Sequence, residues 1–303
     1  VPSRLFQGKP DQMSTDSDQK VDAHSHFGKF SKSYGDDYKE VAHKKYPANR
    51  YRLDIIKHIV QTLAPRKILD IGCGTGDPLI EIAQLGLDIH GFDFSKEMVS
   101  QAQQNAVDAG LSADLVFQDN MEDPNHVRSE SYDCLVALGS VYYARDFEKT
   151  MARLTQLLQP GGSFIFSLRN ELFSLFSMNQ YTVEFLLNKL IPLSRLSDTA
   201  REELQKILQA RFGEQDIKKV FGNVDSAGVH SLLHNPLNVS AEVLEPVGLN
   251  CEGIYYYHYH ALPPILEHVF PAEFRSLSKQ MEGGNDWRGA FMASGFIVHA
   301  TRK

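Results

Sequence analysis

Two stretches carry residue types that could do chemistry. In Asp70-Ile71-Gly72-Cys73-Gly74-Thr75-Gly76, three glycines follow an apolar run. Glycines there let the backbone turn tightly and approach a ligand without Cβ clashes, and a helix opening just beyond presents unpaired N–H groups. Asp93 lies seventeen residues past Gly76, near the spacing at which an acid reaches a ribose hydroxyl. Together they imply a nucleoside-containing cofactor, either a nicotinamide dinucleotide or S-adenosylmethionine. A dinucleotide turn needs Gly-x-Gly-x-x-Gly, yet the last position is Asp77 counted from Gly72 and Leu79 counted from Gly74. Asp70 would repel a pyrophosphate and suits the ammonium or sulfonium of a cationic cofactor. The second stretch is Ile254-Tyr255-Tyr256-Tyr257-His258-Tyr259-His260. Period-two alternation would put Tyr256, His258 and His260 on one face of a strand and Tyr255, Tyr257 and Tyr259 on the other.

Positioning these residues requires a framework of alternating strands and helices. Apolar residues at helical spacing predict an amphipathic helix over 51–63. Strands are expected at 67–71, 88–92, 113–118, 132–138 and 163–168, with helices at 78–85, from Ser95 as cap to Ala109, and at 147–158. That rhythm implies right-handed βαβ crossovers and a mainly parallel sheet covered on both faces, a doubly wound α/β domain. It stops at Asn170, where Phe173, Phe176, Tyr181 and Phe185 mark an aromatic-rich helical insertion to about Asn238. A helix near 241–247 and strands at 251–260 and 296–301 complete the core. The expected organisation is a flexible leader over 1–25, a cofactor-binding core with an N-terminal helical cap over 26–169, a helical lid over 170–238 and a core completion over 239–303.

Ile68-Leu69-Asp70-Ile71-Gly72-Cys73-Gly74-Thr75-Gly76 resembles motif I of class I S-adenosylmethionine-dependent methyltransferases. The resemblance continues through Gly91-Phe92-Asp93-Phe94-Ser95, Tyr132-Asp133-Cys134-Leu135-Val136-Ala137-Leu138 and Leu157-Leu158-Gln159-Pro160-Gly161-Gly162-Ser163-Phe164-Ile165. These match the family's second motif, fourth strand and the turn before the fifth strand, in order across residues 66 to 168. The resemblance implies a seven-stranded, mostly parallel sheet whose last two strands are an antiparallel pair, with the lid inserted after strand five. It further implies that Gly72, Gly74 and Gly76, with Asp70 in the same turn, pass the methionine and ribose portions, and that Asp93 accepts from the ribose. Gln118-Asp119-Asn120-Met121 resembles the segment in which an acid meets the adenine amino group, making Asp119 and Met121 adenine contacts, with Phe94 beside them. Tyr34, with Phe27 and Phe30, resembles the elements that roof cofactor and acceptor.

Methyl transfer from a sulfonium is an in-line displacement, so alignment and exclusion of water matter most, and a hydroxyl acceptor also benefits from a general base. Many relatives carry a histidine after strand four, where Gly139-Ser140-Val141-Tyr142-Tyr143 stands here. Tyr142 and Tyr143 either orient the acceptor or pack on the next helix, and Tyr143 is held as a candidate catalytic group. Arg169 and Asn170 close strand five as candidate acceptor ligands; Arg169 pairs with an acceptor carboxylate or phosphate, or makes a surface salt bridge. In strand six, His258 or His260 is the candidate base and Tyr256 lines the acceptor; the alternative is ordinary strand composition. His230 and His234 are weaker candidates. Val136-Ala137-Leu138 places no acid at the end of strand four, so no catalytic metal is expected.

Lys plus Arg total 31 against 38 for Asp plus Glu across the 303 residues, and a net charge of −7 disfavours a nucleic-acid substrate. Cys73, Cys134 and Cys251 form no CxxC pair, and no apolar run is long enough for a membrane span. A cytoplasmic monomer or homodimer is expected, bound to neither nucleic acid nor membrane. It would be a metal-independent enzyme that methylates a small polar metabolite, a sugar or natural-product intermediate, at a hydroxyl and leaves S-adenosyl-L-homocysteine. Alternatives are N- or C-methylation, a non-catalytic cofactor-binding module, and a nicotinamide oxidoreductase.

Overall fold

The computed structural model describes residues 46–213 and 231–303. Helix α1 (Ala48–Leu63) buries Arg52, Leu53, Ile56, Ile59 and Val60 along one stripe and ends at Ala64, whose left-handed φ of 45° turns the chain into Pro65. The β1 strand (Ile68–Ile71) is buried throughout. It lies between β2 (Ile89–Asp93) and β4 (Tyr132–Ala137), with β3 (Val116–Gln118) outside β2. Burial on both faces is what a central parallel strand requires, and Asp70 is the one polar residue within it.

Helix α2 (Asp77–Ala83) follows β1, with Pro78 in its first turn, and α3 (Lys96–Asp108) follows β2. The Ser95 side chain accepts from the Met98 N–H at 3.3 Å, the cap read from the sequence. After β4 come a 3-10 turn over Val141–Tyr143, α4 (Phe147–Thr155) and the long β5 (Leu158–Asn170). The segment after β5 contributes α5 (Phe173–Ser177), α6 (Gln180–Phe185) and α7 (Asp198–Phe212). A two-residue β6 (Leu233–His234) then returns to the sheet. Strand β7 (Leu249–Tyr259) is joined to β8 (Ala293–Arg302) through α8 (Pro271–Met281) and α9 (Gly289–Met292).

The sheet order is 3-2-1-4-5-8-7, parallel from β1 to β5, with β8 antiparallel to both neighbours. Seven strands follow the expected path, and β6 adds an eighth beside the end of β5, at Arg169 and Asn170. Strand order reverses between β1 and β4, the switch point where open α/β sheets bind ligands at the carboxyl edge. Helices α1, α2 and α3 pack one face and α4 with residues 239–247 the other. In the segment after β5, Val183 and Leu208 are the buried residues of one small cluster, and Leu172 and Phe185 pack with Ala290 of α9 in another.

Four expectations change. The strand at 113–118 is half turn, because the Ser112 hydroxyl accepts from the Asp114 N–H and folds Ala113–Leu115 into a 3-10 turn. Residues 240–247 form π and 3-10 turns in place of one regular helix. Asn170, an expected acceptor ligand, is instead a buried clamp. Its amide donates to the carbonyls of Ala290 at 2.9 Å and Ala293 at 2.7 Å, and its oxygen accepts from Leu172 N–H at 3.0 Å. With those groups engaged by backbone, the side chain ties β5 to α9 and β8. The alternation in β7 also breaks, at His258, whose φ of 59° is left-handed. Tyr256 and Tyr259 therefore both pack against Gly289 in α9.

Asn170→Ala should cost about 1–3 kcal/mol, the penalty for stranding buried carbonyls. Urea denaturation measures it; a loss below about 0.5 kcal/mol would contradict the clamp.

Candidate active site

The bend after β1 is built to bring backbone close to a ligand. Gly72 has φ 69°, and a Cβ there would lie 2.6 Å from that of Ser140, so any side chain is excluded. The N–H groups of Gly72 and Cys73 both donate to the Phe92 carbonyl at 2.9 Å. Asp93, at the end of β2, accepts from Gly74 N–H at 3.0 Å through Oδ2 and from Ser95 N–H at 2.9 Å through Oδ1. One carboxylate thus fixes both the bend and the start of α3. From the other side, Ser140 Oγ donates to the Ile71 carbonyl at 2.7 Å and Gly139 N–H donates to Ser167 Oγ at 2.8 Å.

Asp70 lies beneath this bend, 1% exposed. Its Oδ2 is buried with no hydrogen-bond partner. Burial first, and the charge of Asp93 second, push its pKa from 3.8 to about 7, against the opposing pull of Arg52. A buried acceptor without a donor, next to a bend closed to side chains, fits a small cationic group on the ligand. The residues present therefore fit S-adenosylmethionine.

Asp119 is buried, and its two oxygens accept from the N–H groups of Asn120, Asn125 and His126 at 2.8–3.1 Å. Its carboxylate folds the 120–126 loop, a duty the sequence reading did not assign. Met121 packs on the sheet core from that loop, and the carbonyl of half-buried Phe94 accepts from Gln118 Nε2 at 2.9 Å. Tyr34, Phe27, Phe30 and His230 lie outside the described residues.

Farther along the same edge, the rings of Tyr142 and Tyr143 meet at 4.6 Å. The Arg169 guanidinium stands 5.7 Å from the Tyr142 ring and donates to Ser231 Oγ at 2.8 Å. His258 Nδ1 is 2.7 Å from Ser294 Oγ. Desolvation, then the charges of Arg169 and Arg52, lowers its pKa to about 4, so at neutral pH it is an uncharged imidazole. His260, 4.6 Å from His258 between rings, is wedged against Phe173 and Phe274 with both ring nitrogens buried and lacking hydrogen-bond partners. Burial lowers its pKa to about 2, so it cannot hold a proton near neutrality. His258 is the better placed of the two candidate bases. The ring of half-buried Tyr256, the expected acceptor-lining residue, packs on Phe296 and against Leu172, Phe185 and Ala290. His234 packs on the Phe147 ring at 4.5 Å.

The sequence reading missed Arg52. This residue is 3% exposed, bonds Tyr257, opposes the charging of His258 and favours that of Asp70. It links the two halves of the edge electrostatically. Its signal was present: an arginine on the buried stripe of an amphipathic helix, one turn before Ile56. Among the described residues no group of three or more His, Cys, Asp or Glu could hold a metal ion, and no helix is long and apolar enough to cross a membrane.

Comparison with known proteins places these observations. A family described as a methyltransferase domain matches residues 65–222. A ubiquinone biosynthesis O-methyltransferase of Pectobacterium atrosepticum is 28% identical over 144 residues, covering 48% of this chain and 59% of the relative. The chain thus spans about three-fifths of the length of that relative. The same-named protein of Methylococcus capsulatus is 24% identical over 189 residues, 62% of this chain and 76% of that one. Magnesium protoporphyrin IX methyltransferase from Synechocystis, solved with S-adenosylhomocysteine bound, superimposes with a TM-score of 0.53 at 14% identity, over 92% of this chain and 98% of that one. That likeness is one of fold.

Because Asp70 has a raised pKa in the folded chain, its contribution to stability is full below about 3.8 and is lost as pH rises through about 7. Asp70→Asn removes this dependence. Urea denaturation between pH 4 and pH 8 should show the variant gaining on the wild type by up to about 4 kcal/mol. Parallel pH profiles would contradict the burial of an unsatisfied acid.

Proposed function

The chain belongs to the methyltransferase-domain family of class I S-adenosylmethionine-dependent enzymes, and from that membership we propose that it transfers a methyl group to a hydroxyl of a small polar metabolite. The observation that carries the reading is the glycine bend braced by Asp93 over the unpartnered, buried oxygen of Asp70. When bound, S-adenosylmethionine supplies a methyl group on a positively charged sulfur, open to in-line displacement. Asp70 balances the positive charge of that cofactor, and Asp93 holds its ribose while fixing the bend. Gly72, Gly74 and Gly76 admit the ligand close to the backbone, with Phe94, Asp119 and Met121 around the adenine.

On the acceptor side, Tyr142 and Tyr143 position the molecule and Arg169 pairs with an acidic group on it. His258, uncharged at neutral pH, takes the hydroxyl proton as the new bond forms. The lid excludes water from the reacting atoms. A hydroxyl acceptor is favoured because a neutral imidazole stands at this edge and because the relatives are described as O-methyltransferases. No metal is required, since Val136-Ala137 ends β4 without an acid. The acceptor is a sugar or natural-product intermediate, and the buried, unbridged Cys73 and Cys134 suit a reducing cytoplasm.

Label from methyl-labelled S-adenosylmethionine should appear in an ether when the protein is offered a panel of small hydroxylated acids, sugars and amines. Label on nitrogen or carbon would overturn the hydroxyl assignment, and no transfer to any acceptor despite tight cofactor binding would favour a binding module. In calorimetry, Asp93→Ala should weaken S-adenosylhomocysteine binding by on the order of tenfold or more, since hydrogen bonds to a charged group are worth about 1.5–3 kcal/mol. An unchanged dissociation constant would remove Asp93 from the cofactor site.

A further inference from the structure

We propose that Tyr46 and Glu282 are positioning residues for His258, an inference that rests on the acceptor-side reading of that histidine. At His258 the β7 backbone takes the left-handed φ of 59° that side-chain-bearing residues seldom adopt. Just after it, Tyr259 N–H donates to Glu282 Oε1 at 2.9 Å, and the same oxygen accepts the Tyr46 hydroxyl. The Tyr46 ring in turn lies 5.1 Å from the His258 ring, inclined by 31°. His260 meets His258 at 4.6 Å, and Ser294 Oγ lies 2.7 Å from Nδ1.

The imidazole is thus contacted by one tyrosine, one histidine and one serine, and Glu282 anchors both the tyrosine and the peptide next to the histidine. Residues 46, 258 and 282 come from the approach to α1, the end of β7 and the end of α8. Glu282 thereby sets the place of the Tyr46 ring that packs on His258. Burial raises the pKa of both Tyr46 and Glu282, and the proton stays on the tyrosine, which donates. The charged and titratable groups bearing on His258 are Arg169, Arg52 and His260, with Ser294 and Tyr46 in contact and Glu282 behind them.

The test is nitrogen NMR of the full chain labelled at histidine, with S-adenosylhomocysteine as the added probe and His258→Gln to assign the resonance. Wild type should show His258 in one tautomer. Tyr46→Phe, which cuts the ring loose from Glu282, and Glu282→Ala should let the imidazole leave Ser294 Oγ, mix the two tautomers and move the protonation midpoint of His258 upward by about one unit or more as water enters. Glu282→Gln, which keeps an accepting oxygen, should retain the wild-type pattern. Among acceptors that accept label, Tyr46→Phe should lower kcat by on the order of tenfold while leaving KM for S-adenosylmethionine unchanged. Should Glu282→Ala fail to fold, Tyr46→Phe alone decides. A His258 signature unmoved by Tyr46→Phe would overturn the proposal. Failure of wild type to bind S-adenosylhomocysteine would instead overturn the methyltransferase reading, and the tautomer comparison would still stand by itself.

Discussion

A carboxylate sealed inside the sheet with no donor for one of its oxygens is the constraint on which this fold turns. Asp70 is held there by β1, whose other residues are buried and apolar, and the chain must then leave the strand through a bend that tolerates no side chain at Gly72. Keeping that acid dry costs stability, because both burial and the neighbouring Asp93 oppose its ionisation. On the proposed reading, a cationic ligand at the bend would offset that cost, so the same acid that destabilises the fold would be satisfied by the cofactor.

Around that point the sheet divides its labour. Its β1 and β2 ends carry Asp70 and Asp93, while the turn after β4 carries Tyr142 and β5 and β7 carry Arg169 and His258. Arg52 reaches both groups from the second turn of α1, so the helix that opens the described core also bears on the electrostatics of the edge. Asn170 shows the complementary rule. At the end of β5, its side chain bonds only backbone and ties α9 and β8 to the strand.

Much of this was legible in the residues. The strand–helix rhythm, the glycine bend, the Ser95 cap and the acids at the strand ends follow from local patterns that one segment is enough to specify. What escaped were features decided by distant partners. Asn170 looked like a ligand at a strand end because its acceptors, Gly289, Ala290 and Ala293, lie more than a hundred residues away. The face of Tyr259 was misassigned because a left-handed residue at His258 breaks the period of two, and nothing in a Tyr-His-rich run announces that. Glu282 carried no local signal at all, since its partners are Tyr46 and the β7 backbone.

The most direct measurement is a crystal structure of the chain with S-adenosylhomocysteine. Its amino group should sit within about 3.2 Å of an Asp70 oxygen or of one bridging water, with the ribose at Asp93 and the sulfur facing the His258 side of the edge. Density for the molecule at any other place, or side chains filling the space above Gly72 to Gly76, would contradict a sheet edge built around a buried acid awaiting a cation.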